Sequence, residues 1–104
     1  MLLSTTDSIE GREIVEYLGI VSGETVYGAN FVHDFFASIR DVVGGRAGGY
    51  EKVLRAGKTA ALDDMVEQAR ELRADAIIGI DIDYETVGER MLMVSANGTA
   101  VRLR

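Results

Sequence analysis

The sequence has no cysteine, which excludes disulfides, thiolate zinc centres and thiol catalysis together. It has one histidine, His33, and a lone imidazole cannot anchor a multi-histidine metal site. Basic charge is also short: 11 Lys and Arg stand against 17 Asp and Glu, the net charge is −6 and the pI about 4.7. Neither nucleic acid nor an anionic membrane is therefore expected as a partner. There is no long apolar run, and Met1–Thr6 lacks the basic region of a signal peptide, so a cytoplasmic protein without a membrane span is expected by default. At 104 residues the chain makes one domain, residues 1–104, with one modest core; a chain of this size buries about 65% of its unfolded surface. Nothing in the sequence requires a cofactor.

What is present is organised around a glycine-rich stretch, Ile39 to Glu51, in which Gly44, Gly45, Gly48 and Gly49 flank Arg46. Glycine adopts positive φ without steric cost, so Gly44 reads as a helix stop and Tyr50-Glu51 as the start of the next helix, with an acid in its first turn. The segment reads as helix, tight loop, helix. One use of it is an anion pocket, in which the amides of Gly48, Gly49 and Tyr50 join the guanidinium of Arg46, with Arg40 nearby. The plainer use is an interhelical connection, since Glu51 already occupies the positive end of the helix. Two nucleotide motifs are only apparent. Gly57-Lys58-Thr59 copies the end of a phosphate-binding loop, but Lys52 stands where that motif needs glycine and the triplet lies mid-helix; the glycines at 44–49 follow a helix rather than a strand.

Along the chain, Leu2–Thr5 suits a short edge strand and Glu10-Gly11-Arg12 a turn. Ile14–Val26, rich in β-branched residues and free of proline, reads as a long strand with Val15, Tyr17 and Val21 on one face and Ile14, Leu18, Ile20 and Val26 on the other. Gly19 and Gly23 within it imply a bend, a bulge or the close approach of another backbone. From Asn30 to about Val43, Phe31, Val32, Phe35, Phe36, Ile39, Val42 and Val43 recur at helical spacing, with His33 beside the stripe. A second helix is expected from about Tyr50 to Leu72, its stripe being Tyr50, Val53, Leu54, Gly57, Ala61, Met65, Ala69 and Leu72. Its small residues around Gly57 suggest a closely packed crossing helix or neighbouring subunit.

Ala76–Glu85 alternates as a strand, with Ile78, Ile80, Ile82 and Tyr84 on one face and Asp81, Asp83 and Glu85 on the other. The three carboxylates, about 7 Å apart along the strand, could help to bind a hard cation, or form an acidic solvent-facing stripe. Met91–Leu103 then returns, antiparallel to the acidic strand, with Met91, Met93, Val101 and Leu103 on one side and Leu92, Val94, Ala96 and Ala100 on the other.

The runs Asp34-Phe35-Phe36, Ile39-Arg40-Asp41, Val43-Gly44-Gly45-Arg46, Gly49-Tyr50-Glu51, Ala74-Asp75-Ala76, Gly79–Glu85 and Met91–Ser95 resemble the YbjQ-like family of small bacterial proteins over nearly the whole chain. The resemblance implies an α+β, dodecin-like subunit in a homopentameric ring, with a heavy-metal-binding label and no established activity. Arg73 stands where that family commonly has glycine at a helix end, and Ala47 where serine is frequent. The expected fold is β-α-α-β-β, a curved mixed sheet with two helices on one face, and the expected partner is a further copy of the chain. Three functions fit: a binding module for a small anion or metal, a structural ring without a ligand, and an enzyme whose site, with Arg40, Asp41, Arg46 and Tyr50, is shared between subunits.

Overall fold

The computed structural model describes residues 1–28, 42–43, 46–88 and 91–104. Six strands and one helix occur among them: β1 (Leu2–Leu3), β2 (Ile14–Tyr27), β3 (Val42–Val43), β4 (Arg46–Ala47), α1 (Gly48–Glu71), β5 (Ala76–Val87) and β6 (Met91–Leu103). The four-stranded sheet runs β1-β5-β6-β2, parallel at β1/β5 and antiparallel elsewhere, so it is mixed and open as well as α+β. The long strands form where β-branched residues are dense and proline is absent. The turn at Glu10-Gly11-Arg12 is present, with Gly11 at φ 79 and the Arg12 amide donating to the Ile9 carbonyl at 3.1 Å.

Several sequence expectations need correcting. Among the described residues there is one helix, not two; most of the expected first helix, residues 31–41, lies outside them. Its expected end, Val42–Val43, is strand, paired antiparallel with Arg46–Ala47, so the expected tight loop contains a strand of its own. The β-branched pair prefers a pleated ladder to a helix end. The helix begins at Gly48, two residues before Tyr50.

The end of α1 explains why glycine would suit position 73. Arg73 has φ 60; its amide donates to Arg70 and that of Ala74 to Ala69, at 2.9 and 3.1 Å. This paired closure satisfies the last carbonyls of the helix and requires a left-handed residue at the position that Arg73 holds.

Three bulges decide which side chains face the helix. Register shifts fall at Ile14/Glu16 and Tyr17/Gly19 in β2, and at Ile78/Asp81 in β5, where Gly19 (φ 116) and Gly79 (φ 61) take conformations open mainly to glycine. Each extra residue reverses the alternation; the two in β2 cancel, so Ile14, Ile20 and Val26 stay together opposite Val21 as expected and only Leu18 and Tyr17 exchange sides, whereas the one in β5 separates Ile78 from the isoleucines that follow it. Leu18 and Val21 share the helix side, whereas Tyr17, Ile20 and Val26 face away; Ile78 parts from Ile80 and Ile82. Strand β6 carries no such shift of its own, and its alternation is as the sequence implies.

The main core lies between α1 and the sheet: Val21, Ala61, Met65, Ala69, Ile77, Val94, Ala96 and Ala100. Here Gly23 admits the helix backbone, because a Cβ on it would overlap the Ala61 carbonyl and sit 2.7 Å from the Met65 amide. Gly57 is similarly tight, 2.8 Å from Val94 Cγ2 for a Cβ placed there, so its close neighbour is the chain's own sheet rather than another helix or subunit. On the reverse face a smaller cluster, Ala76, Ile78, Val101 and Leu103, is covered at one end by Ile9 and Ile14. The N-terminal segment is fastened along β5 by bonds from the Ser4 amide to Ile77, from Gly79 to Thr6 and from Ile80 to Ser4, at 2.9, 2.9 and 3.1 Å.

Candidate functional site

Strand partners sit side by side with side chains on a common face, so the register assembles the uncovered part of the reverse face row by row. The rows are Ser22, Asn97 and Asp81; Glu24, Ser95 and Asp83; Val26, Met93 and Glu85. They form a lane of four carboxylates, Glu24, Asp81, Asp83 and Glu85, all exposed, and the strand residues described on this face include no Lys or Arg. Apolar side chains border it, with Tyr17 68%, Ile20 82% and Val26 51% exposed. The stripe of Asp81, Asp83 and Glu85 is thus on one face as the sequence implies. Glu24 joins the stripe through the pairing of both strands with β6, which no pattern within β2 reveals.

The lane is electrostatically uncompensated. The Asp83 carboxyl is raised above its ordinary value of 3.8, first by the Asp81 charge, then by a hydrogen bond with the Asp81 carboxyl, with smaller contributions from desolvation and Glu85. Two like charges held side by side disfavour each other's ionisation. Along the strand the backbone positions of the acidic residues repeat at about 7 Å, and that of Glu24 lies two strands from Asp83, about 10 Å away. Among the described residues no three of His, Cys, Asp and Glu are grouped to hold a metal ion.

The other sequence candidates separate from this lane. Gly48, Gly49 and Tyr50 form the first turn of α1, with Arg46 just upstream in β4. Their backbone amides therefore stand at the positive end of a 24-residue helix, an arrangement that favours negative charge. Arg40, Asp41 and His33 lie outside the described residues. A further patch escaped the sequence reading: Lys52, Arg55, Ala56, Thr59, Ala60 and Asp63 line a shallow depression on the outward side of α1. No helix among the described residues is long and apolar enough to cross a membrane.

The YbjQ family model, described as "Putative heavy-metal-binding", matches residues 1–104, the whole chain. The chain belongs to the YbjQ family. Its fold is also similar to a crystal structure of a protein of unknown function from the DUF74 family of Pediococcus pentosaceus, with a TM-score of 0.69 at 18% identity, covering 100% of this chain and 98% of that one. The donors of this YbjQ chain do not fit the heavy-metal description. Soft metals favour thiolate and imidazole ligands, and the chain has no cysteine and one histidine. Its carboxylates are hard donors.

Proposed function

We propose that this YbjQ chain is a homo-oligomeric binding module, a pentamer as the family resemblance implies, and that its ligand is a small anion. One observation carries the assembly: a long edge strand, β2, presents Tyr17, Ile20 and Val26 to solvent on the face that α1 leaves uncovered. Burying apolar surface yields about 25 cal/mol per Å², and soluble monomers seldom leave such a patch bare. The anion reading rests on the start of α1, where Gly48 and Gly49 let a ligand approach the amides closely and Arg46 lies two residues upstream. Native mass spectrometry of freshly purified protein tests both parts. An oligomer that retains an added mass supports them; an oligomer of bare subunits favours a structural ring without a ligand. Phosphate and sulfate titrations followed by NMR localise the site: identical responses of wild type and Arg46→Ala would remove it from this loop.

A further inference from the structure

We infer that a second copy of this chain covers the carboxylate lane, laying the outward face of its α1, from Lys52 to Asp63, along Glu24, Asp81, Asp83 and Glu85 in a head-to-tail contact. This rests on the oligomeric reading and adds which surfaces meet.

Charge selects the occupant. The lane holds four carboxylates without a described cation on its face, so a self-complementary contact would oppose like charges and cost free energy. The outward side of α1 supplies the opposite sign near its start, with Lys52 and Arg55 against the single acid Asp63. Among the described residues neither cation has an ion-pair partner, whereas Arg70, further along, is held by Glu67 at 2.9 Å. Between the charges lie Ala56, Thr59 and Ala60, small enough for a helix to settle closely on a sheet.

Dimensions agree. From the Ile20 row to the Val26 row is six residues, about 20 Å of strand, and three strands span about 10 Å. Lys52 to Asp63 rises about 17 Å on a helix about 10 Å across. Tyr17, Ile20 and Val26 would then lose water beside the helix stem. The two surfaces differ and lie on opposite sides of a sheet-and-helix subunit, so every copy offers both. Such a contact propagates from subunit to subunit and closes into a ring when its rotation permits.

Light scattering after size exclusion tests this on four full-length proteins: wild type, Lys52→Glu with Arg55→Glu, Asp81→Lys with Asp83→Lys, and all four changes in one chain. All four sites are on the surface, and circular dichroism checks that each protein is folded. The expected result is an oligomeric wild type, a fall toward the 11.3 kDa subunit for either pair, and restored mass when both pairs are combined. An oligomeric wild type whose pair variants keep its mass would overturn this contact and leave the oligomeric reading intact, as would folded pair variants that dissociate but are not restored by combination. A monomeric wild type would overturn the oligomer itself, and the lane would then belong to a different partner.

Discussion

Replacing Gly23 with alanine is the sharpest test of how α1 sits on the sheet. The added Cβ would overlap the Ala61 carbonyl and stand 2.7 Å from the Met65 amide and 2.9 Å from Asp64 Cβ. The first two are backbone atoms and the third is fixed to the backbone, so no side-chain rotation makes room. Restoring van der Waals distance requires the helix to move away by about 1 Å, and a gap of that size forfeits a quarter to a half of each contact. The loss falls on Val21, Met65, Ala69 and Val94, all buried in the main core. Overpacking of a close-packed interior costs roughly 1–3 kcal/mol, and the immobile neighbours place this case at about 3 kcal/mol. With a urea slope near 1 kcal/mol per M for a domain this small, the midpoint should fall by about 2–3 M. Gly19→Ala is the control: it keeps open space around the Cβ, nothing lying within 4 Å, but retains a φ of 116. Its cost is backbone strain alone, about 1–2 kcal/mol. Urea titrations by circular dichroism at one fixed protein concentration decide between them, since assembly would make the midpoint depend on concentration. A Gly23→Ala midpoint within about 0.5 M of wild type would refute the close approach.

Three other outcomes follow from local geometry. Arg73→Gly relieves a left-handed non-glycine residue in the helix closure and should raise stability by about 1 kcal/mol, seen as a higher urea midpoint. Asp75→Ala leaves the Leu103 amide, bonded to Asp75 Oδ2 at 2.8 Å and part-buried, without its acceptor; a loss of about 1–2 kcal/mol is expected in the same assay. In the dissociated subunit the folded state holds its Asp83 proton more tightly than the unfolded chain, whose carboxyl titrates near 3.8. Stability therefore falls as pH rises from 3.8 through the raised value, with the penalty complete above it; in urea titrations of the Lys52→Glu, Arg55→Glu subunit across this range, adding Asp81→Asn should flatten that part of the profile.

The parts of the fold visible in the sequence are those governed by local pattern. Leu2–Thr5 was expected as an edge strand, Gly23 as a possible close approach and β6 as a two-faced strand; the first is found in part as β1, and the other two are found as such. The acidic stripe on β5 was visible too, because simple alternation holds after Asp81. The sides of Tyr17 and Leu18 in β2 and of Ile78 in β5 were not. Their alternation is reversed by bulges at Gly19 and Gly79, and glycine permits such a bulge without dictating one. Glu24 belongs to the lane through long-range pairing alone, since Ser95 lies between it and Asp83. Val42–Val43 was misplaced for a related reason: two valines continue a helical stripe as readily as they enter a ladder, and the choice is made by their partners Ala47 and Arg46. The outward patch on α1 carries no sequence signature, since Lys52, Arg55, Thr59 and Asp63 look like any solvated helix face.

Assembly underlies both the binding module and the head-to-tail contact, and sedimentation velocity on a micromolar sample tests it most directly. A single boundary with the mass of five 11.3 kDa subunits, about 57 kDa, is predicted. A boundary at 11.3 kDa from protein still folded by circular dichroism would contradict it.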